Sequence, residues 1–325
     1  MKAAIPLTLP GVSERRHVHI LNPASGGQKY YEAARRAVEK QKGEMLVSEK
    51  PGQLRELTAE LFSRDPFAHA IVYGGDGSVY EAVGGIMDSG KNSTASFSVI
   101  PTGSGNDFSA YANDSGVFKK GELNKIDLVK TLCEGEARYF ANMMNIGFDC
   151  SVVRETYTLK KNPLFQGTAA YIAGVLKVLA VKKTFAADIS LNGCVSLADG
   201  SALDDVHESK KILLTACANA QFCGGGFRAA SLASITDGLM DVLIVNDVSR
   251  LKFISLVGDY HNGSYIESDG KIKDSFSQVI SYHRCRKMEL TGPEYICLDG
   301  EIYETDRERR ISAEVCPGAV FFAAL

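Results

Sequence analysis

The chain has 325 residues, 45% of them hydrophobic and 23% charged, so it is long enough for two domains with sizeable cores. Its formal net charge of −3 excludes a global basic field that would attract nucleic acid or an anionic membrane. The eight cysteines form no C-x-x-C pair, which argues against a zinc site. Neither a signal peptide nor an apolar run of membrane-spanning length is visible, so we expect a cytoplasmic protein.

After a loose lead-in at residues 1–16, a strand predicted at residues 17–21 runs into the polar turn NPASGG, residues 22–27, and a helical pattern follows. A helix that begins directly after a strand presents free N–H groups and the positive end of its dipole, which suits phosphate. Asn-Pro and Gly-Gly are also common in ordinary turns, so this motif alone leaves both readings open. A strand at residues 44–48 and a helix at residues 52–62 are predicted next.

The stretch GGDGS, residues 74–78, follows an apolar strand predicted at residues 70–73 and opens another helix. Ser78 and Glu81 have the spacing of a capping box, which predicts that Ser78 caps the helix and that Glu81 reaches back to it. A carboxylate repels phosphate, so Asp76 makes sense in a phosphate site if Mg²⁺ or water lies between them. The alternative is a tight turn with a capping aspartate.

A third polar turn, PTGSGND at residues 101–107, follows a strand predicted at residues 95–100, and Asp127 lies on a short strand beyond it. Ser104 offers a hydroxyl, while Asn106 and Asp107 could equally cap the next helix. Strands that alternate with helices predict an open α/β sheet, which we assign to residues 1–132. Ligands bind such sheets at the carboxyl ends of the strands, so the three turns should line one site.

From about residue 133 the pattern changes to strands separated by turns, with two helices. Strands are predicted at residues 137–149, 185–191, 211–218, 240–245, 279–290, 295–298 and 311–315, and helices at 169–179 and 250–265. This order predicts a mostly antiparallel, sandwich-like domain over residues 133–325, whose C-terminal tail packs back on the first domain. Lys177, Lys182 and Lys183 could touch a membrane surface, although a solvated helix end explains them as well.

Three more turns complete a series of motifs: GGG at residues 224–226, DGLMDV from Asp237, and DGE at residues 299–301. With the three turns of the first half, in this order, the chain resembles the diacylglycerol kinase catalytic family, the soluble bacterial lipid kinases related to sphingosine kinases. GGDG alone is shared with NAD kinases and phosphofructokinases. PTGSGNDF and the final DGE favour the lipid kinases.

The resemblance implies a site for ATP and Mg²⁺ on particular residues. Contacts to ATP are implied for Asn22, Pro23, Ala24, Ser25, Gly26, Ser48, Gly74, Gly75, Asp76, Gly77, Ser78, Ser104 and Asn106. Catalytic acids are implied at Asp76, Asp107, Asp127, Asp299 and Glu301, with Glu301 as the general base. A structural Mg²⁺ is implied on the Asp237 side chain and the backbone oxygens of Ser234 and Leu239.

The expected function is therefore ATP- and Mg²⁺-dependent phosphorylation of a lipid hydroxyl, with diacylglycerol as the default substrate. A sphingoid base, phosphatidylglycerol or an isoprenoid alcohol could take its place. Two other functions stay open: a kinase of a soluble acceptor such as NAD, and a nucleotide-binding regulator without catalysis. We expect no nucleic-acid partner, a peripheral contact with the membrane that holds the lipid, and a homodimer.

Overall fold

A computed structural model describes residues 11–114, 116–160 and 168–325, so most of the predicted lead-in lies outside the described residues. The chain divides into two compact units. Unit 1 contains the described residues up to Gly103, with Ala112–Ile126 and Ala319–Leu325. Unit 2 contains Ser104–Tyr111 and Asp127–Gly318.

Unit 1 is built on parallel strands that alternate with helices. Its strands are β1 (His17–Leu21), β2 (Glu44–Val47), β3 (His69–Gly74) and β4 (Ser96–Pro101). Its helices are α1 (Gln28–Lys40), α2 (Gln53–Arg64) and α3 (Asp76–Asp88). The strands lie in the order β2-β1-β3-β4, every pair parallel, and Ile20, Val72 and Phe97 are fully buried in them. This arrangement confirms the predicted α/β fold class of the first half.

The remaining elements follow in chain order. They are α4 (Asp107–Asp114), β5 (Leu123–Cys133), β6 (Glu136–Phe140), β7 (Met143–Gly147), α5 (Phe148–Lys160), α6 (Thr168–Val181), β8 (Phe185–Asn192), β9 (Val206–Ala218), β10 (Met240–Asn246), α7 (Arg250–Asn262), β11 (Ile280–Cys285), β12 (Lys287–Thr291), β13 (Tyr295–Leu298), β14 (Glu301–Glu304) and β15 (Ile311–Ala323). In unit 2 the strands lie in the order β14-β13-β7-β9-β8-β12-β15, and β10 joins β9 to β11. Each of these pairs is antiparallel, which confirms the β-rich class of the second half.

The prediction of one continuous strand was wrong at two places. The stretch at residues 137–149 forms β6, β7 and the start of α5, because the amides of Ala141, Asn142 and Met143 donate to the Asp299 carboxylate instead of continuing one ladder. The stretch at residues 279–290 divides into β11 and β12, because the chain changes partners there. β11 pairs with β10, whereas β12 pairs with β8 and β15.

Both helices predicted in the second half, α6 and α7, contribute side chains to the core of unit 2. Val178 of α6 and Leu256 of α7 are buried in the same cluster as Leu213, Leu243 and Tyr265. No helix within the described residues is long and apolar enough to cross a bilayer.

Candidate active site

The strand order of unit 1 creates a switch point between β1 and β3. From β1 the chain continues outward on one side to β2, and from β3 it continues on the other side to β4. All four strands are parallel, so their carboxyl ends lie at one edge. In open α/β sheets, ligands bind in the crevice at such a reversal. Here NPASGG follows β1 and GGDGS follows β3, so two of the predicted phosphate turns flank the reversal.

Hydrogen bonds join the turns at this edge. The Asn22 side-chain amide donates to Ser78 Oγ at 3.0 Å, which links the turn after β1 to the helix after β3. Thr102 Oγ1 donates to Ser25 Oγ at 3.0 Å, and the Thr102 amide donates to the Gly74 carbonyl at 3.0 Å. The structure thus brings together the turns after β1, β3 and β4, which lie far apart in the sequence.

Two glycines at this edge have no room for a side chain, Gly26 where two turns meet and Gly74 within its own turn. Gly26 has φ +70°, and a Cβ atom there would lie 2.2 Å from the Thr102 carbonyl oxygen. A Cβ atom on Gly74 would lie 2.2 Å from Ser78 Cβ. Neither position has room for a side chain, so packing requires glycine at both, and the left-handed backbone conformation favours it at Gly26 as well.

The predicted capping box at α3 was wrong. The helix is capped by Gly75 without a side-chain hydrogen bond. Ser78 accepts from Asn22, while Glu81 accepts from the amides of Gly52 at 3.1 Å and Arg55 at 3.3 Å, at the start of α2. Glu81 therefore satisfies the first amides of a neighbouring helix, because that helix lacks a side-chain cap of its own.

The other predicted nucleotide residues of unit 1 lie at the same edge. Asp76 is the first residue of α3 and is partly exposed there. Ser48 follows β2 and is buried, with its hydroxyl 3.4 Å from the Leu21 carbonyl. Amides at helix starts and nearby hydroxyls are groups that can donate to the oxygens of a phosphate chain. Nucleotide contacts for these residues remain a prediction.

In unit 2, Asp107 is tied to the GGG turn. Its carboxylate, 6% exposed, accepts from the amides of Gly225 at 2.9 Å and Gly226 at 2.9 Å. Just before it, Asn106 has φ +59° at the start of α4, and Ser104 is exposed. The GGG motif therefore has a concrete role as the donor pair that holds this acid in place. A further role for Asp107 toward a metal stays a prediction.

Asp127 is held in the same manner. Its two carboxylate oxygens accept from the amides of Gly238 and Gly318, both at 2.6 Å. Burial raises the pKa of Asp127, and these two hydrogen bonds oppose the rise. The carboxylate thus fixes the DGLMDV turn and the middle of β15, and a catalytic role for it remains a prediction.

Asp299 organises the turn that carries the predicted base. Its buried carboxylate accepts from Ala141 at 2.9 Å, from Asn142 at 3.1 Å and from Met143 at 2.8 Å. Asp299 itself has φ +47°, so the turn between β13 and β14 is bent sharply at this residue. Glu301 follows as the first residue of β14 and is exposed, and its role as the general base stays a prediction. Asp299 therefore positions the backbone from which Glu301 extends.

The predicted structural Mg²⁺ site already contains a cation from the chain. Asp237 Oδ1 accepts from the Leu239 amide at 3.1 Å, and its other oxygen lies 3.9 Å from Arg284 Nη1. Arg284 Nε is 3.3 Å from the fully buried Asp241. Burial raises the pKa of Asp237 and raises that of Asp241 to about 6. Carboxylate oxygens suit Mg²⁺, so Asp237 fits a metal chemically, but Arg284 competes for the same carboxylate.

Sequence reasoning assigned no role to two asparagines beside these acids. Asn219 donates to the carbonyls of Asp127 at 2.9 Å and Ala141 at 2.7 Å, and Asn142 donates to the Phe222 carbonyl at 2.9 Å. Both side chains thus join the segments that carry the acids. The signal in the sequence was an asparagine at the end of an apolar strand, which also occurs in ordinary turns.

Comparisons with known proteins agree with this arrangement of motifs. The family model of the diacylglycerol kinase catalytic domain matches residues 16–144, and that of the YegS C-terminal NAD kinase beta sandwich-like domain matches residues 142–323. A protein of Shewanella frigidimarina named "Probable lipid kinase YegS-like" is 27% identical over 270 residues, covering 79% of this chain and 77% of its own. Another of the same name, from Chromohalobacter salexigens, is 29% identical over 214 residues, or 62% of each chain.

A solved structure shows the same fold. The crystal structure of a diacylglycerol kinase from Bacillus anthracis aligns with a TM-score of 0.65 and 18% identity, covering 96% of this chain and 97% of that one. At this identity the alignment supports the architecture, while the sequence matches support the family.

Proposed function

The chain belongs to the diacylglycerol kinase catalytic-domain family, with a YegS-type C-terminal domain in its second half, and we propose that it is an ATP- and Mg²⁺-dependent kinase of a lipid alcohol. Diacylglycerol is the substrate that the family name favours. The names of the bacterial relatives specify lipid kinase without a substrate, so other lipid alcohols remain outcomes of the test.

The observation that carries this proposal is the reversal of strand order in unit 1. Glycine turns that follow β1 and β3 flank that reversal, and Asn22 and Ser78 join them by a hydrogen bond. Amides at the starts of α1 and α3 can donate to phosphate oxygens, and the positive ends of both helix dipoles favour their charge. Such an edge supports nucleotide binding more directly than any one motif does.

The acids supply the remaining steps of the proposed reaction. Glu301 would accept the proton of the lipid hydroxyl as that oxygen attacks the γ-phosphorus of ATP, and ADP would leave. Asp299 keeps the turn before Glu301 in place through its three amide hydrogen bonds. Asp76, at the edge of unit 1, is the acid best placed to hold Mg²⁺ beside the phosphates, where the ion would neutralise their charge.

Incubation with γ-labelled ATP, Mg²⁺ and a panel of lipids in mixed micelles, followed by chromatography, tests the proposal. The panel contains diacylglycerol, a sphingoid base, phosphatidylglycerol and an isoprenoid alcohol, and a separate reaction contains NAD. Label in one lipid is the expected result. Label in NAD alone, or in no acceptor, would overturn the proposal.

A pair of variants tests the assigned base. Glu301→Gln should lower kcat by about 10²-fold or more, because proton transfer by a positioned base contributes about that much. Glu304→Gln is the matched control, since Glu304 is an exposed glutamate at the other end of the same short strand. Equal activity of the two variants would remove Glu301 from the mechanism.

A further inference from the structure

Exposed apolar side chains are concentrated on two neighbouring helices of unit 2. Leu251 is 82% exposed and Ile254 56% on α7, and Leu176 is 62% exposed and Val181 58% on α6. They are four of the five most exposed large hydrophobic side chains among the described residues. Scattered apolar residues are normal on a surface, but a group of this kind marks an interaction site.

Hydrogen bonds join the two helices that carry these side chains. Arg250, the first residue of α7, donates from Nε to the Leu179 carbonyl at 3.0 Å and from Nη2 to the Ala180 carbonyl at 2.9 Å. The start of α7 is therefore fixed against the end of α6. We call the surface formed by Leu176, Val181, Leu251 and Ile254 the α6–α7 patch.

The four patch residues are not needed to fill the core of unit 2. On the same helices, Val178, Leu179 and Leu256 are buried in the core of unit 2. Phe253 and Tyr260 of α7 line an apolar cavity of about 30 Å³ beneath the helix. The inward positions are thus already occupied by apolar residues, so the outward ones add nothing to the packing of this unit.

Basic residues flank the patch residues along the chain. They are Lys177, Lys182, Lys183, Arg250 and Lys252, and their acidic partners are Glu155 for Lys177 and Asp247 for Lys182. Five positive charges and two negative ones leave a local charge of +3, opposite in sign to the chain's net −3. Lys183 and Lys252 are both exposed.

We infer that the α6–α7 patch is a membrane-docking surface, whose four apolar side chains enter the interface of an anionic bilayer while Lys183 and Lys252 contact lipid phosphates. Apolar side chains flanked by lysine and arginine are the combination that binds such interfaces. A second copy of the chain fits less well, because two patches of like charge would face each other. The inference rests on the proposed function, since a lipid substrate has to be reached from the bilayer surface.

Sedimentation with vesicles tests the inference without using turnover. Vesicles of phosphatidylglycerol mixed with phosphatidylcholine should bind the parent protein, and vesicles of phosphatidylcholine alone should bind it far less. The variant Leu251→Ser/Ile254→Ser should lower the partition coefficient by about tenfold or more, since each apolar side chain contributes substantially to insertion. Lys183→Glu/Lys252→Glu should lower it by a similar factor, and the parent's binding should weaken as salt is added.

The control variant is Leu203→Ser, which removes a leucine of similar exposure, 55%, outside the patch. It should bind vesicles like the parent, and thermal unfolding should show that all variants are folded. Equal binding of Leu251→Ser/Ile254→Ser and the parent would overturn the inference. A dimeric parent that this variant converts to a monomer would also overturn it, because a second copy would then cover the patch.

The labelling assay separates this inference from the proposed function. With a short-chain, water-soluble diacylglycerol, the patch variants should keep the parent's activity, since they lie outside the residues assigned to catalysis. If the patch variants lose vesicle binding while the parent phosphorylates no lipid, the docking inference is supported and the kinase proposal is rejected. If the patch variants bind vesicles like the parent and the parent phosphorylates a lipid, the kinase proposal is supported and the docking inference is rejected.

Discussion

Replacement of Gly26 by alanine tests whether the switch point in unit 1 is the nucleotide site. The residue has φ +70°, and its added Cβ would lie 2.2 Å from the Thr102 carbonyl oxygen. Gly90 is the matched control, because it has φ +65° in the same unit and a Cβ added there would meet no atom within 4 Å. Both variants therefore carry similar backbone strain, and Gly26→Ala alone carries the steric clash.

The expected magnitudes follow from these distances. The left-handed conformation costs alanine about 1–2 kcal/mol in either variant. To restore van der Waals contact at Gly26, the turn after β1 must move away from Thr102 by about 1 Å, and a displacement of about 1 Å can cost about 10²-fold in rate. We expect Gly26→Ala to lower kcat/KM for ATP by about 10²-fold, or about 2.7 kcal/mol of transition-state stabilisation.

The assay is steady-state phosphorylation of the preferred lipid with ATP varied, together with urea unfolding of each variant. Gly90→Ala should lose about 1–2 kcal/mol of unfolding free energy and keep its kcat/KM. If Gly26→Ala also keeps the parent's kcat/KM while folded, the turn after β1 does not contact the nucleotide. If both variants lose activity in proportion to stability, the effect is strain and the steric argument fails.

Three further predictions concern buried ionisable groups and their partners. Burial lowers the pKa of His69 to about 3, so its contribution to the unfolding free energy is complete above pH 6.5 and is lost as the pH drops toward 3. Urea unfolding at about pH 4.5 should show a loss of about 2.7 kcal/mol from this residue, and the variant His69→Gln should not show that loss. At pH 8 or above, Arg284→Met should lower the unfolding free energy by about 3–5 kcal/mol, because the buried Asp241 must then either stay charged without its partner or take up a proton. A melting temperature restored by Mg²⁺ would indicate the implied metal site, and one insensitive to Mg²⁺ would argue against it. Asp299→Asn should cost about 1–3 kcal/mol of unfolding free energy and lower kcat, since an amide cannot accept all three N–H groups; unchanged kcat would contradict its role in positioning Glu301.

Local patterns were sufficient to predict the strand-turn-helix motifs of unit 1. An apolar run that ends in glycines and is followed by a helical period depends on neighbouring residues only, so NPASGG and GGDGS appear where expected at the ends of β1 and β3. The capping box at Ser78 failed, although its spacing was correct. The partners that Ser78 and Glu81 take are Asn22 and the start of α2, and local spacing contains no information about them.

The acids show the same limit. The motifs and the family resemblance predicted that Asp107, Asp127 and Asp299 lie in functional turns. What their carboxylates bind is decided by backbone amides more than a hundred positions away, such as Gly225 for Asp107 and Gly318 for Asp127. The burial that raises the pKa of Asp127 likewise exists only after segments of unit 2 that are distant in the sequence have packed together.

The sequence by itself determined the two fold classes, the turns at the strand ends and the family, because periodicity and glycine-rich motifs are properties of short segments. Only the tertiary structure decided that the turns after β1 and β3 flank a reversal of strand order, and that Asp107, Asp127 and Asp299 accept hydrogen bonds from backbone amides. It also decided that the start of α7, next to the exposed Leu251, is fixed against the end of α6. Those arrangements depend on long-range pairing, which the free energy of burial selects over the whole chain.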